Sequence, residues 1–576
     1  MSGLYKGQHT SVDRIAGIQL QTSCQGGGVA IIYGTNRTTG NLLDVDDFTA
    51  HEVTTSVGKG GGSTSSSWWY SAGVILGICQ GPIDGINRVW RDSENAWGLD
   101  HYGFTLVLGN IPQEPWGTWV TKHPGKASAF AGVAYVANAN ADLGTTGSVK
   151  NYSFEVRGLL ATEADLSAPD IEIGTGDGST AHFPLYDGMG HHLTSMQQIH
   201  NPEIVVGGVT VDPSTYVIRN GWTETVTTTI RHDGETVDSW TSTRTNDRAN
   251  LYIVFATAPA HGAAIIWGRG AWIPYDALPE VVIPDFLSNP DYGALWSAAK
   301  VGDLATGAWS FATYCKAMGF VISPVIKELR PAADHLQEML DACNSEAVWC
   351  AGPDGMQLTL VPYGDQEVTA NGVTFAPNTT PLYNVGYDDF LGAVDENGEP
   401  TGEDPVSASR TSPADVYNTV PVQFNDRSNS YNIASVDDPE PSDRAQNGPK
   451  VSQALVLPCI TRHVHAKVIS RIRAQRNVNV RMVYTFKLGW RYMLLEPMDI
   501  ITISDPLLGI EYQAVRIIDV EFPDEAGEGG GCTYTAEEWP FGTGHASPGS
   551  TLDQNSNAVP NTAINPGDCN PPVIAA

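Results

Sequence analysis

Short apolar runs with a two-residue period, cut by Gly, Pro, Asn and Asp, recur along most of the chain. They predict strands joined by turns. Near the start, Ile18 and Leu20 alternate with Gln19 and Gln21, and Val29–Tyr33 is a compact apolar run. Ser71–Cys79 reads as a buried strand, with turn chemistry at Gly81-Pro82 and Asp84-Gly85. Val133–Val136 and Tyr152–Val156 follow as strands. Between the first two groups lies Gly58–Ser67, a glycine-serine stretch with too little apolar content to pack, expected to be a mobile loop.

Residues 166–275 change character. They are rich in Thr, Val, Ile and Gly, and Ile204–Val211, Thr215–Ile218, Glu224–Ile230, Glu235–Thr243 and Leu251–Phe255 read as consecutive strands. Asp233-Gly234 suits a hairpin turn. The expectation is a self-contained, sandwich-like β domain inserted into a larger body.

Helical spacing enters after residue 276. In Pro331–Ser345, Leu336, Met339, Leu340 and Cys343 follow i, i+3, i+4, i+7. Thr306–Met318 is a second candidate, and Val348–Val361 reads as a hairpin turning at Pro353-Asp354-Gly355. A further helix is predicted at Arg462–Gln475, N-capped by Thr461, with Val464, Val468 and Ile472 on one face. Strands are expected at Asn477–Leu488, Asp499–Ser504 and Tyr512–Phe522. The Pro-, Asn- and Ser-rich residues 541–576 read as an extended tail. The pattern divides the chain into residues 1–165, 166–275, 276–366, 367–540 and 541–576. The fold class is mainly β with α+β parts.

Composition narrows the partners. The 576 residues carry 32 Lys and Arg against 64 Asp and Glu, so the net charge is 32 − 64 = −32. Wrapping nucleic acid depends on neutralising phosphates, which this balance opposes. Such a surface either keeps a protein soluble or lets DNA slide past without sticking. Eight cysteines are scattered without a CxxC pair or zinc spacing, which favours folding in a reducing cytoplasm. Met1–Gly7 lacks the apolar region of a signal peptide, and no run of 18 apolar residues is present, so no membrane-spanning segment is expected.

Candidate chemistry is sparse. Gly58-Lys59-Gly60 lacks the Ser or Thr that a phosphate-binding loop needs after its Lys. His191-His192 lies in a glycine-rich loop. On a helix, His463 and His465 point about 200° apart and cannot share a metal. Asp388-Asp389 and Glu537-Glu538 are adjacent rather than convergent, and Glu496 and Asp499 flank Pro497 in a turn. No catalytic residue, cofactor or metal is expected. One charge feature is unusual: between Ile460 and Leu488, Arg462, Lys467, Arg471, Arg473, Arg476, Arg481 and Lys487 occur without an Asp or Glu. It reads as a solvated helix face or as a docking face for acidic parts of neighbouring subunits, with Arg462, Lys467, Arg471, Arg473 and Arg476 as its residues; DNA is a third reading, which the charge of the rest of the chain opposes.

Several segments together resemble the tail hub or tip-attachment proteins of long-tailed phages and gene-transfer particles. They are Ile31–Asn41, Gly58–Gly62 with Tyr70-Ser71-Ala72, Cys79–Ile86, Tyr152–Val156, Leu358–Asp365, Ala414–Asn418, Val422-Gln423-Phe424, Tyr431-Asn432 and Leu494–Asp499. Each is short, and their order over residues 15–540 carries the resemblance. It implies a multidomain hub with two β-barrel-like domains, an inserted β domain and a small α/β domain. It implies a homotrimer at the tail tip of a virion, assembled in the host cytoplasm, that joins a sixfold tail tube to a threefold tip and forms or closes the DNA channel. The implied partners are a distal tail protein or tail-tube ring, other tail-tip proteins, a tape measure protein, transiting DNA, and a fibre or spike near the C-terminus. Lys59, Trp68 and Trp69 would belong to a loop lining or closing the channel. Two other readings stay open: a virion-associated cell-wall or glycan hydrolase, and a host-surface adhesion protein using Trp222, Trp240 and Tyr252 of residues 166–275.

Overall fold

In the computed structural model of the protein, residues 9–11, 28–57, 63–92, 96–161, 171–186, 204–232, 235–267, 276–352, 355–392, 402, 404–522 and 530–539 are described. Strands dominate, at 44% against 18% helix. The mainly β, multidomain reading of the sequence therefore holds. The chain divides into two compact units, residues 1–276 with 325–329, and residues 277–324 with 330–576.

In the first unit, three of the short motifs pair into one antiparallel sheet. Tyr152–Arg157 lies between Thr35–Thr39 and Gly85–Arg91. Alternation sorts its side chains: Tyr152, Phe154 and Val156 enter the main core, while Ser153, Glu155 and Arg157 point the other way. That second face is also buried, so its charges must be paired. Glu155 receives a bidentate pair of bonds from Arg88, Nε and Nη2 each at 2.7 Å. Arg37 donates to Ser153 Oγ at 2.9 Å and lies over the Trp90 ring at 4.2 Å.

The larger sheet of this unit pairs Asn41–Val57 with Ser63–Gln80, then Val133–Gly144 and Thr105–Val107. Ser63–Gln80 meets Val133–Gly144 only from Tyr70 onward. Below Tyr70 it continues as a narrow ribbon with the end of Asn41–Val57, and His9–Ser11 adds a third strand at Thr64–Ser66. The loop expected at Gly58–Ser67 is thus corrected: residues 63–67 are strand, because backbone pairing does not need apolar side chains. Residues 58–62 lie outside the described residues. Gly73 is required by packing. A Cβ there would meet Trp119 Cζ3 at 2.5 Å, and that ring is buried and held by its Nε1–H bond to Asp44 Oδ2 at 2.8 Å. Gly73→Ala should therefore lower stability by roughly 1–3 kcal/mol, read as a shift of the urea midpoint.

Ile173, Phe183, Leu185, Ile204, Leu251, Ile253, Ile265 and Trp267 form a separate core within the stretch 171–267. It lies between a four-stranded and a three-stranded sheet. Here the expected strand count is corrected. Ile204–Val211 is a small hairpin, Ile204–Val206 and Val209–Thr210, reversing at Gly207-Gly208, both at positive φ. Conversely, four expected strands merge into two, Tyr216–His232 and Glu235–Phe255, which pair along almost their whole length. At about 3.3 Å per residue this hairpin is roughly 55 Å long. Beyond Asn220 and Leu251 its strands pair, among the described residues, with each other alone. His232 pairs with Glu235 across Asp233-Gly234, which themselves lie outside the described residues.

The second unit begins with helices Pro279–Ser288, Phe311–Met318 and Ala332–Ala342 beside the hairpin Ser345–Gly352 and Gly355–Pro362. The helix expected from Thr306 starts five residues later, because Ser310 Oγ accepts the Thr313 N–H and caps it. A six-stranded sheet runs Asn384–Val385, Ile500–Asp505, Ile510–Glu521, Gly531–Glu538, Met482–Gly489 and Val406–Arg410. Its core holds Phe486, Leu488, Ile501, Ile503, Val515, Ile517 and Tyr534. Asn384–Val385 and Val406–Arg410 are its edges, so among the described residues this sheet is open where the resemblance implied a barrel. A three-stranded sheet, Asn432–Val436, Val422–Asp426 and Leu455–Val456, carries the helix His463–Asn479. Thr461 does not cap that helix. Arg462 occupies the cap position without a side-chain cap bond, and Thr461 uses its carbonyl to accept Arg427 N–H at 3.1 Å. The helix also runs four residues past its predicted end, so the next strand starts at Met482 rather than Asn477.

Candidate functional site

The basic run falls on the helix His463–Asn479 and its flanks, and most of its charge is balanced within the chain. Arg471 pairs with Glu440 at 3.1 Å, Arg473 with Asp341 at 2.8 Å, Arg476 with Glu537 at 3.1 Å, and Arg481 with Asp443 at 3.8 Å. Arg462 is buried. Of the five residues expected to dock a neighbouring subunit, Lys467 alone is exposed. The helix is therefore an internal strut rather than a free cationic face. His465 is part of the strut: Nδ1 faces Val321 O at 3.1 Å, Nε2 faces Ala342 O at 2.6 Å, and the ring stacks on Phe320. With both nitrogens engaged, it has none left to share with His463.

Trp68 and Trp69 lie on opposite faces of the strand Ser63–Gln80 where it leaves the sheet. Trp68 packs against the main core. Trp69 stacks on His51 at 4.0 Å, and His51 Nε2 bonds Ser71 Oγ at 2.8 Å. Lys59, His191 and His192 lie outside the described residues. Of the aromatics considered for adhesion, Trp222 stacks on His182 at 3.7 Å, and Tyr252 is buried and donates to Asp247 Oδ2 at 2.6 Å.

Asp46, Asp47 and His123 bring three potential ligand atoms together. Lysines occupy the carboxylates: Lys126 donates to Asp46 at 2.7 Å and Lys122 to Asp47 at 2.9 Å. These bonds hold both acids below the usual carboxylate range. The cluster is a balanced ion-pair network.

The second unit contains a different arrangement. A cavity of about 370 Å³ is lined by Trp309, Glu496, Asp499, Arg516 and Trp539, among others. Two motif segments build it. Leu358–Asp365 contributes Thr359, Pro362 and Gly364, and Leu494–Asp499 contributes Glu496 to Asp499. Glu496-Pro497-Met498-Asp499 closes as a turn, with Asp499 N–H donating to Glu496 O at 3.2 Å and Asp499 Oδ2 accepting Glu496 N–H at 2.8 Å. Met498 takes φ of 73°, the left-handed region that favours glycine at this turn position. The strain is held by Met498 N–H on Ile517 O at 2.7 Å. Glu496 Oε1 accepts Ala351 N–H at 3.1 Å. Burial raises the Asp499 carboxyl to about 6, with the neighbouring Glu496 charge adding to the rise.

The sign of that rise gives a test. A carboxyl that holds its proton more tightly when folded favours the fold below its ordinary value of 3.8 and loses that advantage as pH rises through about 6. Asp499→Asn keeps an acceptor for Glu496 N–H. It should raise stability at pH 8 by roughly 1–2 kcal/mol after solvent screening, with the gain shrinking toward pH 4.5. Urea midpoints of both proteins across that range check it.

Opposite the turn, Arg516 is 3% exposed. Its Nε donates to Glu537 Oε1 at 2.9 Å, and its Nη2 bonds the same oxygen. Its guanidinium lies over the rings of Tyr363 at 4.6 Å and Trp539 at 4.4 Å. Arg476 shares the Glu537 carboxylate and also covers Tyr363, at 3.7 Å. Two guanidiniums thus meet one carboxylate, and Arg516 Nη1 is buried without a hydrogen-bond partner among the described residues. Sequence reasoning had marked Glu496 and Asp499 as a turn. It missed Arg516 and Trp309, which no local pattern joins to them.

Residues 331–520, which supply much of this unit, match a family described as putative phage tail protein. That stretch of the chain is accordingly similar to phage tail proteins. Among solved structures, a chain from the virion of a native gene transfer agent particle is similar over 95% of this chain and 92% of its own, at 16% identity and a TM-score of 0.52. A 43 kDa tail protein of a Shewanella oneidensis prophage matches at 10% identity over 59% of this chain and 99% of its own, with a TM-score of 0.25. A tail protein from Neisseria meningitidis matches at 10% identity over 61% and 100%, with a TM-score of 0.26. No curated protein matches the chain.

Proposed function

We propose that this protein is a structural component of a virion-type particle, the central hub of its tail tip. In this reading three copies form a ring that joins a sixfold tail tube to a threefold tip and forms or closes the DNA channel. The observation that carries it is the likeness of fold to a chain of a gene transfer agent virion, which spans nearly all of both chains. The phage tail family match over residues 331–520 supports it.

Two features suit the role. Among the described residues, the ribbons below Tyr70 and beyond Asn220 are only two or three strands wide, an arrangement that is marginal in water. Pairing between copies would complete them. The net charge of −32 suits a surface past which DNA slides. Docking between copies then falls to the ribbons and to Lys467, since the arginines of the basic helix are engaged internally. A tail-tube ring, a tape measure protein and a fibre or spike are the partners this position requires, and the role is non-enzymatic.

Mass measurement on the full chain tests the proposal. Three copies of 61.7 kDa give about 185 kDa. The expected result is that mass at micromolar concentration, and particles without complete tails when the protein is absent. A strict monomer whose loss leaves tails intact would overturn the reading.

A further inference from the structure

We propose that a cavity in the first unit binds an apolar carboxylic acid, a fatty acid of medium length, with its carboxylate on Lys327 and Thr39 and its chain against Val29, Leu43 and Val133. The inference rests on that cavity and does not depend on the hub reading.

Charge comes first. The cavity measures about 490 Å³, and its charged lining residues are Lys150 and Lys327, with no carboxylate beside them. In a chain with 64 acidic and 32 basic residues, a lining charged by cations alone runs against the prevailing sign. Lys327 is brought there from far along the chain. Val325–Ile326 pairs with Ile31–Ile32, so residues 325–329 belong to the first unit, and Lys327 arrives beside Gly28. Its Nζ donates to Thr39 Oγ1 at 2.6 Å, and both residues line the cavity. Among the described residues no carboxylate pairs with this ammonium. Only one of its N–H donors is thus used, on a neutral hydroxyl, and Thr39 keeps its own hydroxyl hydrogen to donate. An ammonium and a hydroxyl donor side by side suit the two oxygens of one carboxylate. Lys150 reaches elsewhere: its Nζ lies 3.3 Å from where a Cβ on Gly144 would stand, and Gly144 is not part of the lining. Lys327 is therefore the recognising charge.

The walls select what carries that carboxylate. Val29, Leu43, Leu76, Ile78 and Val133 line the cavity with aliphatic carbon. Acetate or inorganic phosphate would meet the ammonium and leave that surface wet. A fatty alcohol would cover the surface and leave the ammonium without counter-charge. A fatty acid does both. Each methylene moved out of water strengthens binding by roughly fourfold, so affinity should climb with chain length until the cavity is full. A volume of about 490 Å³ falls within the range of ordinary small-molecule pockets.

The test uses the purified full chain with hexanoate, octanoate and decanoate as probes, each below its micelle concentration. Acetate, inorganic phosphate and decan-1-ol are the controls. Calorimetric titration at pH 7.5 should give one saturable site per chain for decanoate. Its affinity should exceed that for decan-1-ol by fivefold or more and that for hexanoate by tenfold or more, with no measurable binding of acetate or phosphate. Lys327→Met keeps the aliphatic stem and should remove the preference for decanoate over decan-1-ol. Val29→Asp lies at a position 49% exposed and leaves the fold intact. Its carboxylate should weaken decanoate binding at least tenfold. Circular dichroism confirms the fold of both variants. If Lys327→Met fails to fold, Val29→Asp and the acid-to-alcohol ratio still decide. No saturable binding of decanoate overturns the proposal. So does decan-1-ol binding as tightly as decanoate, or decanoate binding that neither variant changes. Uptake of many molecules per chain without saturation marks adsorption to the surface and overturns it as well.

Discussion

Replacing Glu537 by Gln is expected to destabilise the second unit by about 3–5 kcal/mol, because it leaves buried guanidiniums without their counter-charge. Glu537 is 6% exposed on Gly531–Glu538, an interior strand of the six-stranded sheet. It accepts from Arg516 on one side and Arg476 on the other. Those charges hold its carboxyl below its ordinary value against the opposing effect of burial. The neighbouring Glu538 is the control. Its Oε1 accepts Arg481 N–H at 2.5 Å and Met482 N–H at 3.1 Å, bonds that a Gln carbonyl can also accept. Glu538→Gln should therefore cost far less. The pH dependence carries the same sign. A carboxyl with a depressed folded value adds stability above its ordinary value of 4.5, and this is lost as pH falls through the folded value. The acid limb of the stability curve should flatten in Glu537→Gln. Urea unfolding of the wild type and both variants from pH 3 to 8 measures all three expectations.

The contrast between Glu537 and the basic helix explains what the chain alone could disclose. Between Ile460 and Leu488 the sequence shows cations and no acids, which looks like a free positive face. The acids come from elsewhere: Asp341 is 132 residues from Arg473, and Glu537 is 61 from Arg476. No local window contains such pairs, so the neutralisation was invisible. Periodicity fared better where burial is one-sided. Met339, Leu340 and Cys343 are buried as their spacing predicted, and the 345–362 hairpin turns where Gly355 allows it. It failed in the long Thr-rich strands near 216–255, where a residue such as Gly221 at φ of 69° marks a bulge inside one strand rather than a boundary between two. The cavity was half legible. The Pro in Glu496-Pro497-Met498-Asp499 announced a turn, but its partner Arg516 arrives through sheet register, since Ile500 pairs with Arg516.

Glu155 in the first unit offers the second large effect and separates two meanings of a buried ion pair. Glu155 is 1% exposed, and Arg88 meets it with two bonds of 2.7 Å. Glu155→Gln or Arg88→Met alone breaks this buried bidentate pair and should cost about 3–5 kcal/mol. The double replacement Arg88→Met with Glu155→Met removes both charges and fills similar volume. It should return to within about 1 kcal/mol of the wild type, since desolvation offsets most of the attraction within a buried pair. The three-stranded sheet joins segments that are distant in sequence, and Gly85–Arg91 carries a bulge between Ile86 and Arg88 that lets its register shift. A one-residue slip would turn Arg88 toward the main core and Val89 toward Glu155. The pair therefore penalises the slipped register strongly even though it adds little to the correct one. In the double variant, normal stability should coincide with broadened amide exchange along Gly85–Arg91, whereas the wild type keeps uniform protection there. Uniform protection in the double variant would show that apolar packing alone sets the register.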